Sequence, residues 1–469
     1  MRHLMPSVLL SLAVIPVAAC GDDDPGDPTP AGKATIRVVH ASPDAPAVDV
    51  YAAGSTTPLV EDLAYGETSA TLEVDEGTYD LEVRAAGAAA DSAPAYTTGP
   101  LDLAADAHVT ALAAGYLGST DAADRFRVIP LADGFAAPGA DEAIVRIVHA
   151  SADAPTVAID VGNDGSPEIA ALDRFADTGA TGVALPAGQA LPIGIWAGDP
   201  LTRVTSFTTP PLPAGAELYV IASGNLGDLP RQATGFALLA VGDAGTITAI
   251  KQDPSVYVFH GSPDAPAVDV LAGGAALAQN LAFGELSAPI QVPPGSYDLD
   301  VNVAGTTTTA ATITTPALAA GERYLAIASG FVGAGEEPFQ PIYAADAFAL
   351  GDAGARVAVI HASPDAPAVD VGPLTGLEMA APAPVQDLAF AEQTDGAGLA
   401  LPAGTITLGV AAAGSSSPVA TFDVPLTAGQ RAFVVAAGAL SPVGDQEPFR
   451  LFAIDTAAAP WALAEVAPN

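Results

Sequence analysis

One stretch of eleven residues, present almost unchanged three times and more loosely a fourth, constrains the fold more than any other feature. HASPDAPAVDV covers residues 40–50 and again 361–371, HGSPDAPAVDV covers 260–270, and HASADAPTVAIDV covers 149–161. The histidines that open these copies are separated by 109, 111 and 101 residues. A period of about 100 residues is the size of an autonomous domain rather than of a solenoid repeat. The chain is therefore predicted to contain four tandem domains.

Other landmarks recur in phase with this motif and divide the domains into two kinds. The first and third share a Gly-x-Tyr-Asp-Leu stretch, at 77–81 and 295–299, whereas the second and fourth share Leu-Pro-Ala-Gly, at 185–188 and 401–404. This alternation indicates the duplication of a two-domain unit. The predicted domains cover residues 34–138, 141–249, 253–351 and 355–459.

Apolar and polar residues alternate along the repeats in the manner of β-strands. Ile36 and Val38 alternate with Arg37, a period of two that predicts a strand with one face in a core and the other in solvent. The 47 glycines and 42 prolines are spread at turn-like intervals, which favours many short strands over helices. The predicted fold class is all-β, with four tandem immunoglobulin-like antiparallel β-sandwich domains, and a closed barrel is the alternative.

The repeated motif combines a strand end, a turn and the start of a second strand. Pro43 presets the turn, and the side chains of Ser42 and Asp44 can bond nearby backbone N–H groups. His40 ends the preceding strand and is expected to bond a backbone group of the turn or Asp44, because a buried polar side chain needs a partner. The residues assigned to this structural turn motif are His40, Ser42, Asp44, His149, Ser151, Asp153, His260, Ser262, Asp264, His361, Ser363 and Asp365.

No residue is predicted to be catalytic. The motif holds the residue types of a catalytic triad, but a triad joins distant segments in space, and here the three residues follow one another across a turn. No Gly-x-Ser-x-Gly sequence occurs. An enzyme would need a polar constellation present in one domain, and His108 is the only histidine after Cys20 that lies outside the motif. Its counterparts Glu217, Glu322 and Gln430 predict ordinary solvent-facing polar residues near strand starts.

No metal site and no cofactor is predicted. A structural zinc ion takes four ligands, typically Cys or His, and each domain offers one motif histidine and no cysteine. Calcium prefers clustered oxygen ligands. Asp160, Asn163 and Asp164 of the second domain offer some of these, so calcium is the one weak alternative.

Residues 1–19 are predicted to be a lipoprotein signal peptide. A basic start and a short apolar run precede Val17-Ala18-Ala19-Cys20, which resembles a bacterial lipobox, and Cys20 is the only cysteine of the chain. The resemblance implies cleavage before Cys20 and its lipidation, which would anchor the protein in a membrane. Gly21 in place of aspartate favours export to the outer membrane of a Gram-negative bacterium, facing either the surface or the periplasm. Residues 20–33 are predicted to be an acidic Pro/Gly tether.

The charge of the chain restricts its partners. It contains 54 acidic and 15 basic residues, which gives a net charge of −39. Such a chain is repelled by nucleic acids, so nucleic-acid binding is excluded as a main role.

HASPDAPAVDV, with the later Leu-Ala-Tyr-Gly-Glu and Gly-x-Tyr landmarks, resembles the domain of unknown function 4397 (DUF4397) family. The resemblance extends over residues 34–459 as four copies. It implies an extracytoplasmic β-rich module and supplies no catalytic residues.

Taken together, these patterns predict a non-catalytic, lipid-anchored cell-surface protein for binding, adhesion or scaffolding. Its ligand would be a surface glycan or another protein. The loops around residues 54–58, 163–167 and 373–384 differ among the domains and are predicted to carry recognition. A cell-envelope hydrolase and an inert spacer are the alternatives.

Overall fold

The computed structural model of the protein confirms the predicted all-β class. Every regular element in the described part of the chain is a β-strand, and no helix there could cross a membrane. The predicted signal peptide, Cys20 and the tether up to residue 31 lie outside the described residues. Lys33, the last residue of the predicted tether, already begins the first strand. The described residues are 32–242, 245–333, 335, 337–351 and 353–469.

The first domain consists of two four-stranded sheets and a two-stranded ribbon. The sheet with the motif histidine has the strand order β10-β9-β1-β4, the facing sheet has β3-β2-β6-β7, and β5 and β8 form the ribbon. The strands are β1 (Lys33–His40), β2 (Val48–Ala52), β3 (Val60–Leu63), β4 (Leu72–Asp75), β5 (Gly77–Tyr79), β6 (Leu81–Ala85), β7 (Tyr96–Thr97), β8 (Leu101–Leu103), β9 (His108–Ala114) and β10 (Arg127–Ala132).

The second domain has a five-stranded sheet, β14-β11-β17-β18-β19, facing a four-stranded sheet, β13-β12-β15-β16. The strands are β11 (Glu142–His149), β12 (Val157–Val161), β13 (Ile169–Leu172), β14 (Val183–Pro186), β15 (Pro192–Ala197), β16 (Thr202–Thr208), β17 (Glu217–Ser223), β18 (Ala237–Val241) and β19 (Ile247–Lys251).

The third domain returns to two four-stranded sheets, β23-β20-β26-β27 and β22-β21-β24-β25. The strands are β20 (Ser255–His260), β21 (Val268–Ala272), β22 (Ala275–Leu281), β23 (Ile290–Gln291), β24 (Asp298–Val303), β25 (Thr309–Thr314), β26 (Arg323–Ser329) and β27 (Gln340–Ala345).

The fourth domain repeats the five-stranded sheet of the second, as β32-β28-β35-β36-β37, and its facing sheet has the order β30-β29-β33-β34, with β31 also paired to β29. The strands are β28 (Ala355–Ala362), β29 (Val369–Thr375), β30 (Glu378–Met379), β31 (Val385–Leu388), β32 (Leu399–Leu401), β33 (Gly404–Ala412), β34 (Ala420–Leu426), β35 (Arg431–Ala437), β36 (Arg450–Asp455) and β37 (Ala462–Val466).

The fourth domain extends past its predicted end at residue 459. The strand β37 pairs with β36 over five residues, and the N–H of Asn469 donates to the carbonyl of Thr421. The predicted end falls before the fifth strand of this sheet, because that strand lies after the last sequence landmark that the domains share.

The sheet that contains the motif histidine, here called the inner sheet, is mixed in every domain. β1 runs antiparallel to β4 but parallel to β9, and the pairs β11·β17, β20·β26 and β28·β35 are parallel in the same way. The facing sheets are antiparallel. Sequence alternation reports the face on which a side chain lies and not the direction of the neighbouring strand, so the parallel pairs could not be predicted from it.

The inner sheets of the first and second domains pack against each other, and those of the third and fourth do the same. Val39 and Leu112 of the first domain and Tyr219 and Ile221 of the second are fully buried in one apolar cluster. The matching cluster of the other pair includes Phe433. Each packed pair therefore contains one domain of each kind seen in the sequence. We call the pair of the first and second domains the first unit, and the pair of the third and fourth domains the second unit.

This packing corrects the predicted solvent face of the first strand. Arg37 is 7% exposed and Val39 is 0% exposed, although both alternate with core residues. The second face of β1 contacts the second domain rather than water. A strand covered on both faces is typical of sheets that lie between two layers.

Candidate functional site

The motif histidines are buried and bonded to the turn. In each domain Nε2 lies 2.9–3.1 Å from a proline carbonyl six residues on, which is Pro46, Pro155, Pro266 or Pro367. A carbonyl only accepts, so Nε2 carries the proton and Nδ1 is an acceptor. In the first domain Nδ1 of His40 accepts the N–H of Ser42 at 3.3 Å. Burial lowers the pKa of each of these four imidazoles, so the neutral form is favoured.

The motif serine and aspartate hold the loop that follows the parallel strand. Ser42 Oγ donates to the carbonyl of Gly115 at 2.6 Å, and the two carboxylate oxygens of Asp44 accept the N–H groups of Leu117 and Gly118 at 2.8 Å. Gly115 has a φ of +84°, and a Cβ atom there would collide with the backbone of Arg125. Serine, aspartate and glycine together therefore fix the start of this loop.

The same contacts recur in the other domains. Ser151, Ser262 and Ser363 donate to the carbonyls of Gly224, Gly330 and Gly438 at 2.6–2.8 Å. Asp153, Asp264 and Asp365 accept backbone N–H groups of the loop that follows, from Leu226, from Val332 and Gly333, and from Leu440 and Ser441. Among the described residues no motif serine hydroxyl bonds a motif histidine, so the arrangement lacks the contact between nucleophile and base that a triad uses.

We call the loops held in this way the presented loops. They connect β9 to β10, β17 to β18, β26 to β27 and β35 to β36. The recurring motif thus closes its own turn and also holds the presented loop of its domain. The sequence of that loop differs from domain to domain. These loops are not the ones in which recognition was predicted.

A second aspartate of the motif, Asp49, was not predicted as a site residue. Its carboxylate accepts the N–H groups of Asp62 and Gly87 at 2.8 and 3.0 Å, and Asp370 holds Asp387 and Gly414 in the same way. The signal was present in the sequence, since the Asp-Val pair closes all four copies.

The weak calcium alternative falls on a carboxylate that already has partners. Asp160 accepts the N–H groups of Asp164 and Gly165 and the indole N–H of Trp196, while Asn163 Oδ1 faces Arg203 at 3.4 Å. No group of three or more His, Cys, Asp or Glu side chains suited to a metal ion was found within the described ranges.

His108 and its counterparts lie at strand starts. His108 is exposed at the beginning of β9, where its Nδ1 lies 2.5 Å from Thr35 Oγ1. Glu217, Glu322 and Gln430 are half-buried rather than fully in solvent.

The presented loop of the first domain borders a groove of about 450 Å³. Tyr96 provides aromatic surface, and the buried Phe126 packs edge-on against it, with the ring centroids 4.9 Å apart. Asp44 holds the N–H of Leu117 at one border of this groove, so the repeated motif positions part of its wall. The lining residues are Ala95, Tyr96, Leu117, Ser119, Ala122, Arg125, Phe126 and Arg127.

Two arginines, Arg125 and Arg127, line this groove, and Arg174 of the second domain lies near them. Arg125 is exposed, the Arg127 guanidinium lies 3.9 Å from the ring centroid of Phe175, and Nη1 of Arg174 in the second domain donates to the carbonyl of Ala123 at 3.4 Å. Burial lowers the pKa of Arg127, the charges of Arg125 and Arg174 lower it further, and Tyr96 and Asp124 act in the opposite direction. Within the part of the chain that the structure describes, no carboxylate forms an ion pair with any of the three.

The other domains do not repeat this arrangement. By strand register, Pro338 and Gln340 of the third domain occupy the places of Arg125 and Arg127. In the fourth domain Arg450 matches Arg127, but it forms an ion pair with Glu447 at 2.8 Å.

The sequence signal for the cluster was the Arg-Phe-Arg run at 125–127 in a chain with only 15 basic residues. The run occurs in one domain only, so the comparison of repeated residues does not mark it.

The fold defines a tandem β-sandwich protein. The chain belongs to the DUF4397 family, whose sequence profile, described as a domain of unknown function, matches residues 34–160 and 254–372. Each matched region begins with the inner sheet of one unit and ends in the second domain of that unit, so two regions rather than four copies are matched. This family and the all-β fold fit an extracellular β-sandwich protein.

Among solved structures, the chain is similar to the Bacillus anthracis TIE protein, with 9% identity and a TM-score of 0.15. The similarity covers 87% of this chain and 68% of that chain. No curated protein matches the chain.

Proposed function

We propose that the protein is a non-catalytic, lipid-anchored scaffold of the cell envelope that binds a carboxylate-bearing glycan in the arginine groove of its first domain. The observation that carries the proposal is the exposed Arg125 close to Arg127 and Arg174, none of which forms an ion pair within the described residues, in a chain of net charge −39. Arg127 and Arg174 already donate to backbone carbonyls, so the exposed Arg125 is the guanidinium that can bind an external anion, and the other two add positive charge beside it.

The chemistry of the groove favours an acidic sugar over a simple ion. Guanidinium groups bind carboxylates through two parallel hydrogen bonds. The half-buried Tyr96 offers aromatic surface beside them, against which the apolar face of a sugar ring can pack. The volume of about 450 Å³ lies in the range of pockets for small ligands and accepts one or two sugar units.

The negative charge of the rest of the protein is compatible with this ligand. At physiological salt the interaction between exposed charges decays within about 8 Å. Acidic residues farther away than this therefore have little effect inside the groove, whereas the acidic surface as a whole disfavours long polyanions that extend across it.

The contacts of the motif support a structural role for the repeated His, Ser and Asp. Each serine hydroxyl donates to a glycine carbonyl and each histidine to a proline carbonyl. These groups hold the presented loops, and anchoring through Cys20 would place the four domains outside the membrane. A hydrolase is the second candidate, and it would release new reducing ends from the sugar.

The proposal is tested by calorimetric titration of the purified protein with trigalacturonate and with neutral maltotriose. We expect saturable binding of the acidic sugar alone. Arg125→Ala should weaken it about tenfold or more, because a charge-assisted hydrogen bond contributes about 1.5–3 kcal/mol. Arg125 is exposed and has no side-chain hydrogen bond in the described part of the chain, so the variant should fold normally.

The matched control is Arg203→Ala, which removes an exposed arginine of the second domain outside the groove. The affinity of this variant for trigalacturonate should equal that of the unmodified protein. Equal binding of both sugars, or unchanged binding by Arg125→Ala, would contradict the proposal. Release of new reducing ends from the sugar would favour the hydrolase instead.

A further inference from the structure

The second domain encloses a cavity that is far larger than its counterparts. It measures about 470 Å³ between the two sheets, whereas the interior of the third domain holds two spaces of about 40 and 30 Å³ and that of the first one of about 10 Å³. This interior belongs to a different domain from the walls of the arginine groove, and nothing about it depends on the glycan proposal.

The walls of the cavity are almost wholly aliphatic. Val161, Leu218, Val220, Ala222 and Ala240 point into the interior of the domain yet remain only partly buried, because the space between the sheets is not filled by protein. Such a space is dry when apolar and attracts apolar molecules of matching volume.

A single substitution between domains explains part of the difference. Val220 pairs with Ala240 in the second domain, and the equivalent strand pair of the third domain joins Ala326 to Tyr343. Tyr343 lines the small cavity of the third domain. Its side chain fills space between the sheets that Ala240 leaves open in the second domain. The same fold therefore exists in a filled and an open form within one chain.

The cavity opens beside a proline-rich segment. The exposed lining residues include Pro210, Pro211, Pro213 and Thr248. Prolines have no N–H to donate. The charged lining residue is Glu217, which disfavours a ligand with a carboxylate head group.

We propose that this cavity binds one long aliphatic chain with a neutral head group. A cavity of about 150 Å³ holds a benzene molecule, so one about three times as large holds about 18 carbon atoms.

The test uses the full chain and the neutral fluorescent probe N-phenyl-1-naphthylamine. We expect saturable binding of one probe per chain and its displacement by 1-hexadecanol. Hexadecanoate should displace it at least tenfold less well, because of the carboxylate of Glu217. Arg125→Ala should bind the probe normally, which separates this site from the glycan site.

The decisive variant is Ala240→Tyr, which introduces the side chain that the third domain has at the matching position. It should weaken probe binding at least tenfold. The matched control is Ala249→Tyr on the neighbouring strand, where the exposed alanine faces away from the cavity and binding should not change. If Ala240→Tyr fails to fold by circular dichroism, Ala222→Phe fills the same space and is interpreted in the same way.

Three results would overturn the proposal. They are an absence of saturable binding, unchanged binding by a folded cavity-filling variant, and a stoichiometry of two or four probes per chain, which would place the probe elsewhere. Displacement by hexadecanoate as strong as by 1-hexadecanol would overturn the neutral head group.

Discussion

At the scale of single residues, the repeated motif is a set of side chains that satisfy backbone groups. The turn chemistry of Ser42, Pro43 and Asp44 follows from the local sequence. The partner of Ser42 is the carbonyl of Gly115, which lies 73 residues away in the chain and cannot be predicted from the local sequence. It comes within reach because β1 and β9 are parallel neighbours, which only the folded chain reveals.

The hydrogen bond of a motif serine can be tested in the fourth domain. Ser363 is fully buried, and Ser363→Ala leaves the carbonyl of Gly438 without its partner. We expect a loss of about 1–3 kcal/mol in the free energy of unfolding. Urea denaturation measures it, with Ser417→Ala, an exposed serine of the same domain, as the control. Equal stability of the two variants would contradict the assigned role.

The buried histidines should titrate at low pH. Burial lowers the pKa of His40, His149, His260 and His361 below the ordinary value of 6.5. Because the folded state binds fewer protons than the unfolded state, the stability due to these groups is present above pH 6.5 and is lost as the pH falls through the lowered pKa.

Nuclear magnetic resonance of the imidazole nitrogens measures this directly. Four histidines should show midpoints below 6.5 and a protonated Nε2 in the neutral form. A midpoint above that ordinary value for any motif histidine would show that its imidazole is not held in the way the hydrogen bonds indicate.

At the scale of elements, the inner strands have two buried faces. Ile36 and Val38 face the core of the first domain, while Val39 faces the second domain. The period of two predicts that these residues lie on opposite faces, and that much follows from sequence. Whether the second face meets water or another sheet depends on a neighbour about 100 residues away in the chain, about which the alternation carries no information.

The packing between inner sheets should contribute strongly to stability. Phe433 is 1% exposed and lies between the rings of Phe348 and Trp461, at centroid distances of 4.9 and 5.8 Å. Phe433→Ala should cost about 3–5 kcal/mol, through lost burial and the cavity left behind. Calorimetric melting measures the change. Val419→Ala, at a residue that is 77% exposed, should have almost no effect. Similar melting of both variants would mean that the third and fourth domains are not joined through this face.

At the scale of the whole molecule, two units of two domains follow one another. They meet through polar contacts, in which Gln291 donates to Thr205 Oγ1 at 3.0 Å and Arg231 donates to the carbonyl of Phe348. The units share one architecture, but the arginine groove and the large cavity both lie in the first unit. Repeated residues therefore account for the architecture, and residues present once account for the proposed sites.

That division also explains what the sequence could and could not predict. The domain number, the strand class and the turn chemistry depend on patterns that recur every hundred residues or so, and such patterns are visible in one chain. The groove needs Arg125 and Arg127 of one domain beside Arg174 of the next, and the cavity depends on the absence of a bulky side chain at residue 240. Both depend on the packing of segments distant in sequence.

One measurement tests most directly whether residues present once, and not the repeated motif residues, form the binding site. Trigalacturonate is titrated calorimetrically into the unmodified protein, into Arg125→Ala and into Ser363→Ala. The account predicts that binding weakens about tenfold or more in Arg125→Ala, where a charge-assisted hydrogen bond is lost, and is unchanged in Ser363→Ala. Binding that is lost in Ser363→Ala while that variant remains folded, and kept in Arg125→Ala, would contradict it, because recognition would then lie at the fourth domain and not in the arginine groove.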